Sequence, residues 1–292
     1  MVAVTVTIVG FGLLRLSGDL AAELAGEDAT PAEIAQTAKD YGLDRPLYKQ
    51  YWEWVSSAFN GDLGRSLFTN DPVVELIGER IGVTVQLALM ALTLAICLAL
   101  PLGVIAARNP NSWADRGALA FAVFGQAIPN FWFGLMLIVV FGVWLRWLPF
   151  IGSETIVHFI LPTVTLGVSV VPAIMRLTRT GMIDVLDSDF IRTARAKGLQ
   201  RRAILYKHGL RYAILPVVSI SAVMLGFLLG GSVIVESIFA LNGVGFLAYQ
   251  SILRADFPVV QSILVIISFL YIFLTLMSDL INAQLDPRIR LG

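Results

Sequence analysis

Long apolar stretches without a charged residue dominate the chain. Five of them contain no Asp, Glu, Lys or Arg: 81–107, 117–145, 155–175, 212–235 and 257–278. A helix that crosses a membrane needs about 20 apolar residues, because lipid offers no partner for backbone N–H and C=O groups. Each stretch is therefore predicted to be one transmembrane helix. We interpret 1–16, which is apolar but short before Arg15, as a first span whose beginning is missing, with a short interfacial segment as the alternative.

Composition sets the class of protein. The 292 residues are 57% hydrophobic and 14% charged, with a mean hydropathy of +0.78, whereas a soluble domain is about 25% charged. So much apolar surface cannot be buried inside a domain of this size, which excludes a soluble enzyme, and an intrinsically disordered chain would be poor in apolar residues. Pattern and composition together predict an all-α polytopic membrane protein with six transmembrane helices.

Basic residues are unevenly distributed between the loops. Segment 176–211 holds nine Lys and Arg, whereas 18–80 holds twelve acids against five bases. Cytoplasmic loops carry the excess of Lys and Arg. We therefore expect 176–211 and both termini, including the tail 282–292 with Arg288 and Arg290, in the cytoplasm, and the loop 17–80 outside. The overall balance of 21 basic and 21 acidic residues predicts no nucleic-acid partner.

The outer loop 17–80 has helix signals of its own. Thr30-Pro31-Ala32-Glu33 has the pattern of a capping box with proline at the first helical position, and Gly42 can end that helix. A second helix is predicted from Pro46 to Asn60-Gly61. One of its faces is apolar: Leu47, Tyr51, Trp54, Val55 and Ala58. Asp71-Pro72 opens a third helix that continues into the next span, so we expect a small helical cap on the outer face.

Several kinds of catalytic site are missing from the sequence. It contains no G-x-x-x-x-G-K-[ST] loop and no H-E-x-x-H motif, and Cys97 is its single cysteine. No nucleophile lies beside a base, as an intramembrane hydrolase would require. The spans also lack the mid-membrane charges on which ion channels and proton-coupled pumps depend. We therefore expect no catalytic residue, metal or cofactor in this chain, and the energy for any active transport from a partner.

The segment 189–216, DFIRTARAKGLQRRAILYKHGLRYAILP, is the most informative. It is predicted to form two short helices interrupted at Gly198. The first carries the small residues Thr193, Ala194 and Ala196, which leave a thin helix surface that can enter a groove. The second has two different sides: Ile204, Leu205 and His208 on one, and Arg201, Arg202, Lys207 and Arg211 around the rest. A positive-inside signal explains the arginines but not the small-residue helix followed by glycine and Leu-Pro.

This segment resembles the EAA loop of the permeases of type I ABC importers, in which E-A-A-x3-G is followed by I-x-L-P. Arg192, Thr193 and Ala194 occupy the E-A-A positions, and Gly198 and Leu215-Pro216 match the rest. Arg192 replaces the glutamate and the spacing to Pro216 is wider than usual. Both departures are typical of the dipeptide, oligopeptide and nickel permease branch, in which R-T-A-R-A-K-G is the usual form.

Other segments are also similar to that branch. They are GDLGRSL (61–67), GQAIPNFWFG (125–134), GGSVIVESIFALNGVG (230–245), DFPVVQ (256–261) and DLINAQLDPRIR (279–290). The resemblance covers the chain from Ser17 onward and fits the B-type permease, which has a long outer loop between its first two spans. It implies the permease fold of type I ABC importers over 81–281, with the EAA loop at 181–211, in a bacterial inner membrane.

The resemblance also implies partners and a function. The partners are a second homologous permease, giving a heterodimer, two ABC ATPase subunits that hold ATP and Mg, and an external substrate-binding protein. The EAA loop would dock on an ATPase through Arg192, Thr193, Ala194, Arg195, Ala196, Lys197, Gly198 and Leu199. The implied function is uptake of dipeptides, oligopeptides, glutathione, nickel chelates or some sugars. A passive channel and an intramembrane enzyme are the alternatives from other classes.

Seven residues are candidates for the pathway or for helix packing: Gln126, Pro129, Asn130, Gly226, Gly230, Gly231 and Glu236. Gly226 and Gly230 form a small-x-x-x-small pair, which favours tight packing within the chain or between two permeases. Pro129 interrupts the third span, where the polar neighbours either satisfy the freed carbonyl or face a wet cavity. Glu236 is expected on the outer side, at the pathway mouth, at a binding-protein contact or simply in solvent.

Overall fold

The fold is taken from a computed structural model that describes residues 2–16, 20–26 and 29–285. The predicted tail residues Arg288 and Arg290 lie outside the described residues, as do 17–19 at the start of the outer loop. The described part is helical, with one isolated antiparallel bridge between Arg65 and Pro72. Its α-helices are α1 Val2–Leu16, α2 Leu20–Ala25, α3 Pro31–Asp40, α4 Leu47–Phe59, α5 Val73–Arg108, α6 Trp113–Ala127, α7 Asn130–Leu137, α8 Ile160–Val168, α9 Val171–Leu186, α10 Asp189–Ala196, α11 Leu210–Ala213, α12 Leu215–Ile238, α13 Val244–Leu253 and α14 Phe257–Leu285.

Three of these helices are long and apolar enough to cross a membrane alone: α5, α12 and the Phe257–Ile281 part of α14. Two helix pairs pass the same test together but are bent at a short break, so the described residues give three spans, or five if each pair crosses once. These five coincide with the five long uncharged stretches, which confirms their prediction as spans. The sixth predicted span is helix α1, which is 15 residues long.

The bends have local causes. The helices Trp113–Ala127 and Asn130–Trp144 meet at 96°, with Ile128 and Pro129 between them in extended backbone. Proline has no N–H and a fixed φ, so it kinks or breaks a helix, and the predicted interruption at Pro129 is confirmed. Helix α5, by contrast, continues through Pro101. The helices Ile156–Val168 and Val171–Leu186 meet at 53°. Two stretches are wound as π-helix, Ile138–Trp144 and Ala203–Gly209.

The chain divides into two compact units, which we call unit 1 and unit 2. Unit 1 is Met1–Gly82 with Asn242–Ile272, and unit 2 is Val83–Leu241 with Phe273–Gly292. The core of unit 1 joins the start of α5 to α13 and the first half of α14. Its buried members are Val73, Ile77, Val244, Leu247, Ala248, Val259 and Ile263. Unit 1 therefore brings segments together from opposite ends of the sequence.

The helix signals of the outer loop are confirmed in unit 1. Thr30 caps α3: its hydroxyl accepts from the backbone N–H of Glu33, and Glu33 Oε2 accepts from Thr30 N–H at 2.7 Å. The carboxylate of Glu33 accepts hydrogen bonds from the backbone N–H of Thr30, which has the larger effect, and from its hydroxyl. Both bonds favour the charged carboxylate and so hold the pKa of Glu33 below its usual value. α3 and α4 are followed by Gly42 and Gly61 with φ of +65° and +83°, values that glycine adopts without strain.

The predicted face of α4 packs on α1. Tyr51 and Trp54 lie 5.5 and 6.2 Å from the ring of Phe11 between centroids, and the hydroxyls of Tyr51 and Thr7 are hydrogen-bonded at 2.9 Å. The prediction was wrong for Leu47. This residue is the first of α4 and stays exposed, whereas Gln50, which was not assigned to the apolar face, is buried.

In unit 2, α12 contacts α7, α8 and α9, while α6 contacts α9. Two glycines allow close approaches to α5. A Cβ on Gly167 of α8 would lie 2.8 Å from the carbonyl oxygen of Ala91, and a Cβ on Gly103 would lie 2.6 Å from Cβ of Thr178 in α9. Real Cβ atoms do not approach other atoms so closely, so only glycine fits these two positions with the present helix spacing.

Candidate functional site

The predicted interruption at Gly198 is present and has a backbone cause. Helix α10 is followed by Lys197 and by Gly198 with φ of +75°. The N–H of Gly198 donates to the carbonyl of Arg195 at 3.0 Å, and that of Leu199 to the carbonyl of Ala194 at 3.3 Å. Apart from its chain neighbours, no described residue has an atom within 4 Å of a Cβ built on Gly198. Glycine is thus favoured here by its left-handed conformation and not by lack of space.

One face of α10 is held by the chain itself. Ile191 and Ala194 are buried with Ile204, and the partly buried Val185 and Leu186 pack against them. Of the residues predicted to dock, Ala194 is therefore not on the open surface: it is 8% exposed and serves as an anchor. Its small side chain lets α10 lie close to the turn that follows.

The other predicted docking residues are brought together on the open side of α10 and its C-terminal turn. They are Arg192, Thr193, Arg195, Ala196, Lys197, Gly198 and Leu199, and all are exposed. We call this set the coupling surface. Arg195 also donates to the carbonyl of Leu186 at 3.2 Å. Three cations, three small residues and one exposed leucine form a surface suited to binding a protein with acidic groups and a groove, and not to chemical catalysis.

The second part of the loop ties this surface to the spans. The two predicted sides are confirmed. Ile204 and Leu205 are buried and His208 is half-buried, whereas Arg201, Arg202, Lys207 and Arg211 are exposed. Leu205 belongs to a core with Val104 and Ala107 of α5, Met182 of α9 and Ala213 of α11. The coupling surface is therefore connected through apolar packing to the ends of two spans.

An ion pair that our sequence analysis missed joins α6 to α9. Arg179 donates from Nε to Asp115 Oδ1 at 2.6 Å and from Nη2 to Oδ2 at 2.8 Å. The Asp115 side chain is 1% exposed and that of Arg179 is 21% exposed. Asp115 also takes part in the N-terminal cap of α6, since Oδ2 accepts from Asn111 N–H at 2.7 Å and its own N–H donates to the N-cap Ser112 Oγ at 3.3 Å. The S-x-x-D spacing of Ser112 and Asp115 before an apolar run was the signal that could have revealed it.

The candidates around the bend take separate roles. Gln126 accepts a hydrogen bond from Arg176 Nη1 at 3.1 Å, so its amide oxygen binds α9. Pro129 precedes α7, whose first residue is Asn130. Two contacts join α6 to α9. The ion pair between Asp115 and Arg179 lies near the start of α6, and the hydrogen bond between Gln126 and Arg176 lies near its end. Helix α6 is therefore held at both of its ends.

The glycines of α12 do not behave alike. Gly226 is buried, whereas Gly230 is exposed, and beyond its own helix no atom in the described part of the chain lies within 4 Å of a Cβ built on it. Gly231 faces Leu166 of α8, whose Cδ1 lies 4.0 Å from such a Cβ. Packing within the chain therefore accounts for Gly226 and Gly231, and Gly230 is left on an open helix surface.

Glu236 requires a correction. It was expected on the outer side with solvation as one explanation, but α12 continues to Ile238 and Glu236 is fully buried. Its carbonyl accepts from the N–H of Leu241 at 2.9 Å as the helix ends. Asn242 is exposed and accepts from Arg80 Nε at 3.1 Å within unit 1. The sequence signal for the helix continuing was the apolar pair Ile238-Phe239 shortly after Glu236.

Two of the family-like segments meet in unit 1. Ser66 Oγ donates to Asp256 Oδ2 at 2.5 Å, and the N–H of Leu67 donates to Oδ1 at 3.1 Å. The same hydroxyl oxygen accepts from the N–H groups of Phe68 and Thr69 at 3.2 and 3.0 Å. GDLGRSL and DFPVVQ, far apart in sequence, thus form one buried polar joint. Among the described residues, no group of three His, Cys, Asp or Glu side chains is placed to hold a metal ion.

Comparison with known proteins now identifies the family. The model of "Binding-protein-dependent transport system inner membrane component" matches residues 99–291, and the corresponding N-terminal model matches 1–88. The glutathione transport system permease protein GsiC of Escherichia coli (strain K12) is 40% identical over 275 residues, 94% of this chain and 90% of the relative. The GsiC protein of Pectobacterium atrosepticum is 39% identical over the same shares.

Solved structures show the same fold. The MetNI methionine ABC transporter in inward-facing conformations matches with a TM-score of 0.62 at 21% identity, over 72% of this chain and 96% of that one. An amino acid ABC transporter matches with a TM-score of 0.56 at 16% identity, over 72% of this chain and 94% of that one. The chain therefore belongs to the family of binding-protein-dependent transport system inner membrane components: it is a membrane-embedded permease subunit of an ABC importer and not an enzyme, and a permease of this kind works with ATPase and substrate-binding-protein partners.

Proposed function

We propose that this chain forms half of the transmembrane pathway of an importer for short peptides or related solutes such as glutathione. The substrate class is supported by relatives named as glutathione transport permeases that align over nearly the whole chain. The second half of the pathway would be a homologous permease subunit. The open position of Gly230 on α12 supports such a neighbour, because small residues at exposed helix positions let another helix approach closely.

The observation that carries the proposal is the geometry of the coupling surface. Its cations and small residues project from a short helix whose opposite face is anchored by Ile191 and Ala194. An ATPase subunit with a matching groove would bind there, and the ATPases would hold ATP and Mg. The Lys and Arg excess of this loop supports a cytoplasmic location for it, with 17–80 on the other side of the membrane.

Packing offers a route from the coupling surface to the bent span. A displacement of α10 would be passed to α9 through Ile191, Ala194 and Leu186. α9 holds α6 through the pair Asp115–Arg179 and through Gln126–Arg176. α6 ends at the 96° bend before α7. ATP-driven movement of the partner subunits would then change the angle or position of this bent span, in the manner of a hinge transition.

The test compares two glycines with the same backbone conformation. Gly198 and Gly61 have φ of +75° and +83°, and neither has an atom within 4 Å of a built Cβ. Replacement by aspartate therefore imposes similar strain at both. In the complex with its partner subunits in proteoliposomes, Gly198→Asp should abolish glutathione or dipeptide uptake and substrate-stimulated ATP hydrolysis without loss of assembly. Gly61→Asp should keep both activities.

Two results would reject the coupling role. Normal uptake and ATP hydrolysis in Gly198→Asp would show that the surface does not transmit force. Equal losses in both variants would show that backbone strain alone is responsible.

Orientation has its own test in intact cells, in a variant in which Cys97 is replaced by serine. Tyr48→Cys, in the exposed part of α4, should react with a membrane-impermeant maleimide. Lys197→Cys should react only after the cells are opened. Labelling of Lys197→Cys from outside would overturn the proposed orientation.

A further inference from the structure

A basic pocket lies beside the end of α5, next to the loop that follows α10. Its volume is about 340 Å³. The charged part of its wall consists of Arg108, Arg201 and Arg202, and the uncharged part includes Val104, Ile105 and Tyr206. The pocket shares Arg108 and Arg201 with a second opening that reaches the coupling surface at Arg195 and Leu199, but its own wall comes from α5 and from 201–206.

The charge in this pocket is not neutralised. None of its lining residues is acidic. Arg201 is positioned by the chain, since Nη2 donates to Asn109 Oδ1 at 3.0 Å and to the carbonyl of Arg108 at 3.4 Å. Among the residues that the structure describes, neither Arg108 nor Arg202 has a carboxylate partner for its guanidinium. Three positive groups therefore surround an opening beside the last turn of α5.

The uncharged wall places the pocket at the membrane boundary. Val104 and Ile105 belong to the last turns of the span formed by α5, and Ile105 is 47% exposed. Tyr206, on the loop side, is also exposed. An apolar helix surface that ends in arginines is the environment of a phospholipid, whose acyl chains lie in hydrocarbon and whose phosphate lies at the interface. The exposed Ile105 gives an acyl chain an apolar surface directly beside the arginines.

We propose that this pocket binds the headgroup of an anionic phospholipid. Arg108, Arg201 and Arg202 contact the phosphate, and an acyl chain lies along Ile105. Guanidinium groups fit phosphate oxygens with two parallel hydrogen bonds, and basic pockets between membrane helices suit anionic headgroups. The proposal rests on the proposed orientation, which puts the pocket in the cytoplasmic leaflet. The bound lipid would join the end of α5 to the loop that carries the coupling surface.

Lipid retention by the purified complex tests the proposal. The complex is exchanged into micelles with equal amounts of phosphatidylglycerol and phosphatidylcholine, and bound lipid is counted by native mass spectrometry. Wild type should retain phosphatidylglycerol preferentially. Arg108→Gln with Arg202→Gln should weaken that retention about 30-fold, since each basic residue near anionic lipid contributes roughly a factor of five. Lys207→Gln with Arg211→Gln removes the same charge outside the pocket wall and should have little effect.

Three outcomes would overturn the lipid site. Equal retention of both lipids by wild type would do so without any variant, which covers a double variant that fails to fold. Equal losses in the two double variants would assign the effect to general surface charge. Displacement of phosphatidylglycerol by dilute inorganic phosphate would indicate a site for free phosphate. Because retention is measured without transport, these results do not depend on the uptake and ATP hydrolysis that test the proposed function.

Discussion

Arg179 binds Asp115 through two parallel hydrogen bonds of 2.6 and 2.8 Å between helices α9 and α6. The aspartate is almost completely buried, and the arginine reaches solvent with about a fifth of its side chain. The pair lies between the helix that precedes the coupling surface and the first half of the bent span. Because only Arg179 reaches solvent, loss of Arg179 should destabilise the fold more than loss of Asp115.

Removal of either partner should be destabilising, and unequally so. Arg179→Ala would leave a buried carboxylate without its cation, which costs about 3 kcal/mol or more. Asp115→Ala should cost less, because Arg179 can turn toward solvent. Thermal unfolding of the purified complex, with the double variant to complete the cycle, measures both. Arg192→Ala is the control, because its pair with Asp189 is exposed and should contribute less than about 1 kcal/mol. Equal effects of the three substitutions would contradict the structural role of the buried pair.

The joint between Ser66 and Asp256 should depend on the hydroxyl. Ser66→Ala removes a donor from a buried carboxylate and an acceptor from the N–H groups of Phe68 and Thr69. We expect a loss of about 2 kcal/mol, within the range for hydrogen bonds to charged groups. Ser262→Ala in the same unit loses one 3.4 Å hydrogen bond to the carbonyl of Leu63 and should change stability by less than about 1 kcal/mol. The two melting temperatures should differ accordingly, and a larger effect of Ser262→Ala would refute the joint.

Replacement of glycine by alanine should change stability in opposite directions at a packed position and at an open one. Gly167→Ala would bring Cβ to 2.8 Å from the carbonyl oxygen of Ala91, and backbone cannot move aside cheaply. We expect a destabilisation of about 1–3 kcal/mol, typical of overpacking. Gly230→Ala meets no atom within 4 Å and gains helix propensity of up to about 1 kcal/mol. Melting of the two variants is the measurement, and destabilisation of this chain by Gly230→Ala would contradict the open surface.

Helix α3 should weaken in acid. The folded-state pKa of Glu33 is depressed by its hydrogen bonds with Thr30, so its contribution is present above the ordinary glutamate pKa and is lost as pH falls through the folded value. Hydrogen exchange of residues 31–40, corrected for the intrinsic pH dependence of exchange, should show less protection at low pH. Thr30→Val keeps the shape but removes the hydroxyl and should reduce this dependence. An unchanged pH profile in Thr30→Val would show that the capping box does not control it.

Features with a local cause were predictable from sequence. Five spans followed from uncharged length, and Gly198, Gly42 and the Thr30 capping box followed from residue types that suit particular backbone positions. The break at Pro129 followed from a missing N–H. In each case a few neighbouring residues determine the backbone, so no knowledge of the remaining chain was needed.

Contacts between distant segments were not predictable in the same way. Ser66 and Asp256 are 190 residues apart, and no periodicity relates them. The sequence around Asp115 indicates a helix cap, but not the ion pair with Arg179. Which of the many arginines lies next to Asp115 depends on how α6 packs on α9. The prediction that Glu236 lies beyond the fifth span was wrong, because α12 continues to Ile238 and buries this side chain. It rested on the assumption that an acidic residue marks the boundary between membrane and water.

The interruption at Ile128-Pro129 leaves main-chain polar groups unsupported in the middle of a bent span. At the break, Ile128 N–H still donates to the carbonyl of Phe124 at 3.3 Å and Phe133 N–H to that of Pro129 at 3.0 Å. The other end groups of α6 and α7 lack intrahelical partners, as at any helix end. Hydrocarbon cannot hydrate such groups, and each costs several kcal/mol when left in lipid. An orphan copy of this chain, inserted without its assembly partners, would hold these groups against lipid at that cost. Membrane proteases should therefore remove orphan copies quickly, so that the lifetime of the chain in the cell reports how much of it has been assembled.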